Sequence, residues 1–287
     1  MKAMEFIDTH DLSEALAALD QRGEDATVLA GGTDVVVQML AGDIRPAALV
    51  HIRPLAELGG IASNDRTDIG ALTTHWELAT SSLILDDHRA LAEAALTVGG
   101  RQTQNVGTIA GNVVNASPAA DLLPALLVAN ARVDAASSAG RRSLPLDEFL
   151  VDRKRTALAP NELVTSISLE RPGARTGEIY LKVGRRAAME VALVGLAVCV
   201  RLDEDDAIAD ARIAVCAVGP KAVRVHEAEA ALAGTRGEDA AVAEAGSLLQ
   251  GAARPIDDVR GTARYRSRVL PGLLARAVAA SVERARS

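Results

Sequence analysis

The chain has 287 residues, and a length of this order is enough for about two domains with cores of their own. Its 31 basic and 38 acidic residues give a formal net charge of −7, so the sequence offers no general attraction to nucleic acid or to an anionic membrane surface. One Trp, two Tyr and two Phe are too few for base-stacking platforms, and 49% hydrophobic with 24% charged residues is typical of a globular protein rather than a disordered chain.

The first fifty residues predict a small βαβαβ unit. Glu5–Ile7 is strand-like, and Asp11 and Glu14 behind it have the spacing of a helix capping box ahead of a helix-spaced apolar series. The apolar run Ala26–Ala30 predicts a buried strand that ends in the turn Gly31–Asp34. The unit is completed by a predicted helix at Val35–Leu40 and a predicted strand at Ala48–Ile52.

From Ile61 the pattern changes, and Gly99–Asp121 differs most from its surroundings. It is rich in Gly, Asn, Thr and Ser and shows no helical period, so we expect irregular structure there. The regular elements predicted around it are strands at Asp68–Leu72, Arg132–Ala136 and Leu163–Leu169, a short helix capped by Thr74 and Glu77, and helices at His88–Val98 and Leu122–Val128.

The last part of the chain predicts a separate domain that begins near Gly173–Gly177. Three strand-like segments come first, and the acidic turn Asp203–Asp206 joins the second to the third as a hairpin. The predicted strands are Glu178–Val183, Val191–Leu202 and Ile208–Val218. Alanine-rich helices are predicted after them at Val223–Ala233, Asp239–Gln250 and Tyr265–Arg284.

Hydropathy and cysteine content indicate the cellular compartment that we expect for the protein. Met1–Asp8 lacks the apolar core of a signal peptide, and no apolar run is long enough to cross a membrane. Cys199 and Cys216 are too few for an iron–sulfur cluster held by four thiolates and do not suggest a disulfide framework. We interpret both as small core residues and expect a cytoplasmic protein with no membrane span.

Most sequence signatures of catalytic sites are absent. There is no GxGxxG turn, no GxxxxGK[ST] loop and no GxSxG nucleophile elbow. The five histidines are scattered without metal-ligand spacing, so we expect no metal site. Two glycine-rich segments remain as candidates for ligand binding.

The first glycine turn, Ala30–Asp34, joins a predicted strand to a predicted helix. Glycines let a backbone approach a ligand closely, and such a turn presents N–H groups to a phosphate, with Thr33 adding a hydroxyl. A tight structural turn would have the same sequence, so this turn alone leaves both interpretations open.

The second glycine turn, Gly107–Asn112, begins a run that extends to Asp121. This run carries many short hydrogen-bonding side chains and almost no charge, unlike a solvated loop. It suits a segment buried against a polar ligand, or one whose polar groups are satisfied by its own chain. Two such turns without Lys or Arg favour a diphosphate held by main-chain N–H groups.

Several motifs in order resemble the FAD-binding medium subunit of the molybdenum hydroxylases, the xanthine dehydrogenase and carbon monoxide dehydrogenase family. The resemblance extends over nearly the whole chain. The segments that carry it are Ala30–Asp34, Ile69–Thr73, Asn105–Asn112, Ala116–Pro118 with Asp121, Glu162–Ile167 and Lys182–Arg186. Several motifs at matching separations are far more specific than any one of them.

The resemblance implies an α+β fold. A two-lobed FAD-binding domain of the vanillyl-alcohol oxidase and p-cresol methylhydroxylase type is expected at residues 1–175, with lobes at about 1–58 and 59–175. A C-terminal medium-subunit domain with a three-stranded antiparallel sheet and helices is expected at residues 176–287.

The resemblance also assigns cofactor-binding residues. Lys182 matches a lysine near the flavin ring, where an ammonium would stabilise the anionic reduced flavin and raise its reduction potential. No side chain is expected to act as a nucleophile or a general base. The residues expected to bind FAD are Val28, Leu29, Ala30, Gly31, Gly32, Thr33, Asp34, Val35, Val98, Thr108, Ile109, Ala110, Gly111, Asn112, Ser117, Asp121, Leu163 and Lys182.

At three points this sequence differs from patterns found in the family that it resembles or in some of its members. The family usually has paired glycines where this chain has Ala110 and Gly111. Carbon monoxide dehydrogenase-like members usually have His-Ser where Thr33 and Asp34 stand, which argues against carbon monoxide as the substrate of the complex. The cysteine-rich insert of the 4-hydroxybenzoyl-CoA reductase subunit is absent.

The function implied by the resemblance is electron transfer within a larger complex. FAD would receive electrons from a small [2Fe-2S] subunit and pass them to an external acceptor, beside a large molybdopterin subunit in a dimer of heterotrimers. Two alternatives are a self-contained flavin reductase of the same fold, such as the cell-wall enolpyruvyl reductase, and a scaffold that has lost FAD. The sequence identifies neither the substrate nor the acceptor.

Overall fold

The first lobe of the protein is the predicted βαβαβ unit. In this computed structural model the described residues are 4–287, so Met1–Ala3, the start of the segment examined for a signal peptide, lie outside them. The elements are β1 (Glu5–Asp8), α1 (Leu12–Arg22), β2 (Ala26–Leu29), α2 (Val35–Ala41) and β3 (Ala48–His51). The strands form a parallel sheet of order β1-β3-β2. Asp11 accepts a hydrogen bond from the Glu14 N–H at 2.8 Å and so fixes the start of α1, as the sequence predicts.

The second lobe is built on a five-stranded antiparallel sheet with helices packed against it. Its strands are β4 (Ile61–Ser63), β5 (Arg66–Gly70), β6 (Arg132–Ser137), β7 (Gly140–Pro145), the short hairpin pair β8 (Leu150–Asp152) and β9 (Arg155–Thr156), and β10 (Leu163–Glu170). Its helices are α3 (His75–Thr80), α4 (Ser82–Asp87), α5 (Arg89–Leu96), α6 (Arg101–Gln104), α7 (Ile109–Asn115), α8 (Leu122–Val128) and α9 (Leu146–Phe149). The sheet order is β4-β5-β10-β6-β7, and β8 pairs only with β9 among the described residues.

One expectation for this lobe is wrong: Gly99–Asp121 is not irregular throughout, because it contains the short helices α6 and α7. Thr108 caps α7 by accepting a hydrogen bond from the Gly111 N–H at 3.2 Å. Ile109 and Val113, four residues apart, are fully buried on one face of that helix. Tertiary packing therefore stabilises a helix that is too short to show a sequence period.

The C-terminal domain contains a four-stranded antiparallel sheet that lies between its own helices and the second lobe. Its elements are β11 (Thr176–Val183), β12 (Val194–Leu202), β13 (Ile208–Cys216), β14 (Val223–Arg224), α10 (His226–Leu232), α11 (Asp239–Ala252) and α12 (Ala263–Arg286). The three long strands are those predicted, and the two-residue β14 extends the sheet beyond the expected three. The predicted helix at Val223–Ala233 begins only at His226, since Val223 pairs with Val215 in the sheet.

The two faces of this sheet are both buried. Val198 and Val200 of β12 join the core under α11 and α12. Cys199, between them, points to the opposite face and joins the core of the second lobe, together with Cys216 of β13. Both cysteines are free and buried, as expected for small core residues. No helix among residues 4–287 is long and apolar enough to cross a membrane.

Candidate cofactor site

A cavity of about 790 Å³ lies between the two lobes, and both glycine turns line it. Such a volume is typical of small-molecule and cofactor sites. The first lobe contributes β2 and the turn into α2, and the second lobe contributes α7 and the start of β10. The predicted cofactor residues that line the cavity are Val28, Ala30, Gly31, Gly32, Thr33, Asp34, Val35, Val98, Thr108, Ala110, Gly111, Asn112 and Leu163.

Five predicted residues do not line this cavity: Leu29, Ile109, Ser117, Asp121 and Lys182. Ile109 is fully buried in the core of the second lobe, where it anchors α7 from behind. The Leu29 side chain lies beside Gly32. The Ser117 hydroxyl accepts a hydrogen bond from the Ala119 N–H at 3.4 Å, within the turn that follows α7. These three residues support the shape of the cavity wall.

The two glycine turns approach each other closely enough to exclude a side chain. A Cβ atom at Gly31 would lie 1.7 Å from the carbonyl oxygen of Val106, just before the second turn. The next residue, Gly32, has a φ of +71°, in the left-handed region that favours glycine. The first turn therefore needs its two glycines for different reasons, one for space and the other for backbone conformation.

Side-chain hydrogen bonds join the helices behind the two turns. Asn115 at the end of α7 donates from Nδ2 to Asp34 Oδ1 at 2.9 Å, and its own Oδ1 accepts from Gln38 Nε2 at 3.1 Å. The Asn115 side chain, which belongs to the second lobe, is thus bonded to two residues of the first lobe: Asp34, just before α2, and Gln38, in the second turn of α2. This connection holds the two turns on facing sides of the cavity.

The lining of the cavity fits a large ligand with both apolar and polar parts. Apolar side chains such as Val28, Val98 and Leu163 line it together with the main chain and short polar side chains of the two glycine turns. Two wall residues, Asn112 and His75, also carry a buried side-chain atom, Oδ1 and Nδ1, without a hydrogen-bond partner within residues 4–287. Buried polar groups in proteins are nearly always paired, so the residues present fit a site for a polar cofactor.

His75 is a cavity residue that the sequence analysis did not single out. It opens α3 directly after the Thr74 cap, and only 3% of it is exposed. Burial lowers the pKa of His75 to about 4, so the imidazole is neutral at physiological pH. The sequence places His75 only at the start of a helix, which does not indicate a ligand site. His75 reaches the cavity because α3 packs against the second glycine turn.

Charged residues at the cavity are mostly acidic. Asp34, Asp43 and Glu162 line it, and Lys154 is the single lysine or arginine among the described lining residues. Glu162 is paired with Arg142 at 2.6 Å, and this guanidinium lowers the pKa of the Glu162 carboxyl. Partial burial raises the pKa of Asp34, against the opposing effects of Lys154 and of the Asn115 hydrogen bond. Lys154 also went unnoticed in the sequence analysis.

Asp121 and Lys182 form a buried ion pair behind the cavity wall. Lys182 Nζ donates to Asp121 Oδ2 at 2.8 Å and to the Thr97 carbonyl at 3.0 Å, next to the lining residue Val98. Tyr180 donates its hydroxyl hydrogen to Asp121 Oδ1 at 2.6 Å. Loss of solvation raises the pKa of Asp121 despite the neighbouring ammonium. The C-terminal domain therefore supplies a cation and a hydroxyl to a carboxylate of the second lobe.

Comparisons with known families match almost all of the chain. Residues 2–171 match the family described as the FAD binding domain in molybdopterin dehydrogenase. Residues 179–281 match the family described as the CO dehydrogenase flavoprotein C-terminal domain.

Characterised relatives and solved structures agree with those matches. The 6-hydroxypseudooxynicotine dehydrogenase complex subunit alpha of Paenarthrobacter nicotinovorans is 33% identical over 285 residues, which cover 99% of this chain and 96% of that protein. The carbon monoxide dehydrogenase medium chain of Hydrogenophaga pseudoflava is 32% identical, with 94% of each chain covered. A solved structure of carbon monoxide dehydrogenase from that organism superimposes with a TM-score of 0.94 at 31% identity, covering 98% of both chains. The chain therefore belongs to the family of FAD-binding medium subunits of the molybdenum hydroxylases, and its cofactor is FAD.

Proposed function

We propose that this chain is the electron-transfer subunit of a molybdenum-containing dehydrogenase complex. The observation that carries the proposal is the cavity between the lobes, where Gly31 and Val106 bring two glycine turns into contact. FAD bound there would supply the redox chemistry that links a one-electron donor to an external acceptor. The protein supplies binding, orientation and electrostatic tuning.

The donor in this proposal is a partner subunit. The chain has two cysteines, both buried in apolar cores, so its own thiols cannot hold a four-thiolate cluster. Electrons then come from a small [2Fe-2S] subunit, and a large molybdopterin subunit carries out the hydroxylation. Support comes from relatives that are named as the medium chain or a complex subunit of their enzymes. The assembly we propose is a cytoplasmic dimer of heterotrimers.

Residues of this chain have distinct parts in holding the cofactor. Gly31 and Gly32 line the site on the first turn, where we assign the diphosphate, and Thr108 and Asn112 line it on the facing turn. The Lys182 ammonium, fixed by Asp121, is the cation that we assign to the flavin end of the site, on the side of Val98. An ammonium there would favour the reduced flavin, to the extent that the paired Asp121 carboxylate does not offset its charge.

Purification of the native complex through a tag on this chain tests the proposal. We expect two further subunits, a flavin absorption spectrum, and iron and molybdenum by metal analysis. Turnover of a small substrate by the isolated chain would instead support a self-contained flavin reductase. A chain that stays colourless after addition of FAD would support the scaffold alternative.

A Gly31→Ala variant of the same complex separates cofactor binding from assembly. We expect the variant complex to keep its iron and molybdenum, to lack flavin, and to lose reduction of the external acceptor. Acceptor reduction at the wild-type rate without flavin would contradict an electron path through this chain.

A further inference from the structure

Lys154 lies at the tip of the β8–β9 hairpin, which the sequence analysis did not predict. Among the described residues the hairpin pairs only with itself. A backbone hydrogen bond from the Lys154 N–H to the Ala116 carbonyl, at 3.0 Å, holds its tip against the end of α7. This bond brings Lys154 into the cavity wall, on the side of the first glycine turn, where its charge acts on Asp34.

The backbone at this contact is strained on both sides. Lys154 has a φ of +53° and Ala116 a φ of +42°, and neither is a glycine. A left-handed conformation costs a non-glycine residue about 1–2 kcal/mol. Glycine would meet the turn geometry at Lys154 more easily, so the backbone alone does not explain a lysine here.

The ammonium of Lys154 is available for a ligand. Lys182 Nζ is bound to Asp121, and Lys221 Nζ donates to the Leu150 carbonyl. In contrast, Lys154 Nζ makes no ion pair or hydrogen bond with any of residues 4–287. It is also the single lysine or arginine among the described residues of the cavity wall, beside three carboxylates. Of these carboxylates Glu162 is paired with Arg142, whereas Asp34 and Asp43 form no ion pair within residues 4–287, so Lys154 is the cation of the wall that can offset their charge.

We propose that Lys154 binds the diphosphate of the cofactor and is the residue that makes the acidic cavity tolerate a dianion. The proposal rests on FAD as the ligand of this site. It adds a charged contact to the main-chain contacts of the two glycine turns. A flexible ammonium at the rim can contact a phosphate oxygen as the cofactor enters, while Asp34 remains hydrogen-bonded to Asn115.

The test measures binding of FAD and of riboflavin, which has no phosphate, to the flavin-stripped full chain by fluorescence titration. Lys154→Gly removes the charge and relieves the strained turn, Lys154→Arg keeps the charge, and Arg153→Gly removes a neighbouring charge outside the cavity wall. We expect Lys154→Gly to raise the Kd for FAD about fivefold at 50 mM NaCl and less than about twofold at 1 M NaCl, because salt screens an exposed charge.

The controls decide between a ligand contact and a structural role. Riboflavin should bind wild type and Lys154→Gly alike, while Lys154→Arg and Arg153→Gly should keep the wild-type Kd for FAD. The proposal would be overturned if Lys154→Gly weakened the binding of riboflavin as much as that of FAD, or if its loss of FAD affinity did not depend on salt. An equal loss of FAD affinity in Arg153→Gly would overturn it as well. Failure of the wild-type chain to take up FAD is a different result and would overturn the proposed function itself.

Discussion

In the first glycine turn a Cβ atom at Gly31 would lie 1.7 Å from a backbone oxygen, whereas in the second turn a Cβ at Gly111 would lie 3.0 Å from the Thr108 hydroxyl oxygen. Gly32 has a positive φ, and Gly111 does not. The first turn joins a strand to a helix at the point where the lobes meet. The second turn is the opening of α7, and Thr108 caps that helix. Geometry thus requires glycine at Gly31 and Gly32 in the first turn, whereas at Gly111 in the second turn it leaves more room for a side chain.

The largest effect should follow from Gly31→Ala. Its methyl group would overlap the Val106 carbonyl, so the two turns must separate, and overpacking against a backbone atom costs about 3 kcal/mol. We expect a loss of that size in the free energy of unfolding and a Kd for FAD weaker by more than about 100-fold. Urea unfolding and flavin content of the purified chain measure both. Gly272→Ala is the matched control, because a Cβ there meets nothing within 4 Å.

Retention of stoichiometric FAD by Gly31→Ala would show that the two turns can move apart without loss of the site. In that case the contact between Gly31 and Val106 would be a packing detail and not a condition for cofactor binding.

Acid should weaken the second turn through His75. The imidazole packs on Gly107, where a Cβ would lie 3.0 Å from its Cδ2 atom. Burial lowers the pKa of His75 from 6.5 to about 4, so the unfolded chain binds more protons than the folded chain between these values. Stability contributed by the neutral ring is therefore present above pH 6.5 and lost as the pH falls towards 4. The loss at pH 5 is about 2 kcal/mol.

Unfolding of the flavin-free chain in urea at pH 7 and at pH 5 measures this loss. His75→Asn should reduce the difference between the two pH values by about 2 kcal/mol. His88→Asn is an informative companion, because burial also lowers the pKa of His88 to about 4, but at a site outside the cavity. A pH difference that is the same in His75→Asn and wild type would exclude the neutral buried ring as its source.

The sequence predicted what local rules determine. The cap at Asp11, the bounds of α8 and the three long strands of the C-terminal sheet follow from spacing and apolar runs, and the structure has them. The glycine turn at Gly31 can be predicted because it directly follows an apolar strand-like run. These features need no information from distant parts of the chain.

The parts that escaped prediction depend on contacts between distant residues. Helix α7 has seven residues and is held by the Thr108 cap and by burial of one face, so its sequence carries no period. Lys154 reaches the cavity through one backbone bond to Ala116. His75 enters the site only because α3 packs behind the second turn. Each is a tertiary effect that residue spacing alone does not contain.

A smaller effect is expected for Gly32→Ala. The φ of +71° costs alanine about 1–2 kcal/mol, while the new Cβ would meet only the Val36 and Leu29 side chains, at 3.3 and 3.4 Å. We expect the free energy of unfolding to fall by about 1 kcal/mol and the Kd for FAD to rise about fivefold. Gly32→Asn should be milder in urea unfolding, because asparagine tolerates the left-handed region better. Equal destabilisation by Ala and Asn would indicate crowding instead of backbone strain.

The smallest effect should come from Gly111→Ala, the counterpart in the second turn. Gly111 lies inside α7, where alanine is favoured over glycine by about 0.5–1 kcal/mol, and this gain offsets the close approach to Thr108 Oγ1. We expect the free energy of unfolding to change by less than about 0.5 kcal/mol and the Kd for FAD to stay within about twofold of wild type. The residue before it, Ala110, is already an alanine in the same helix. A loss of FAD affinity as large as that in Gly31→Ala would mean that the diphosphate lies against Gly111 itself. The two turns would then contribute equally to the affinity for FAD.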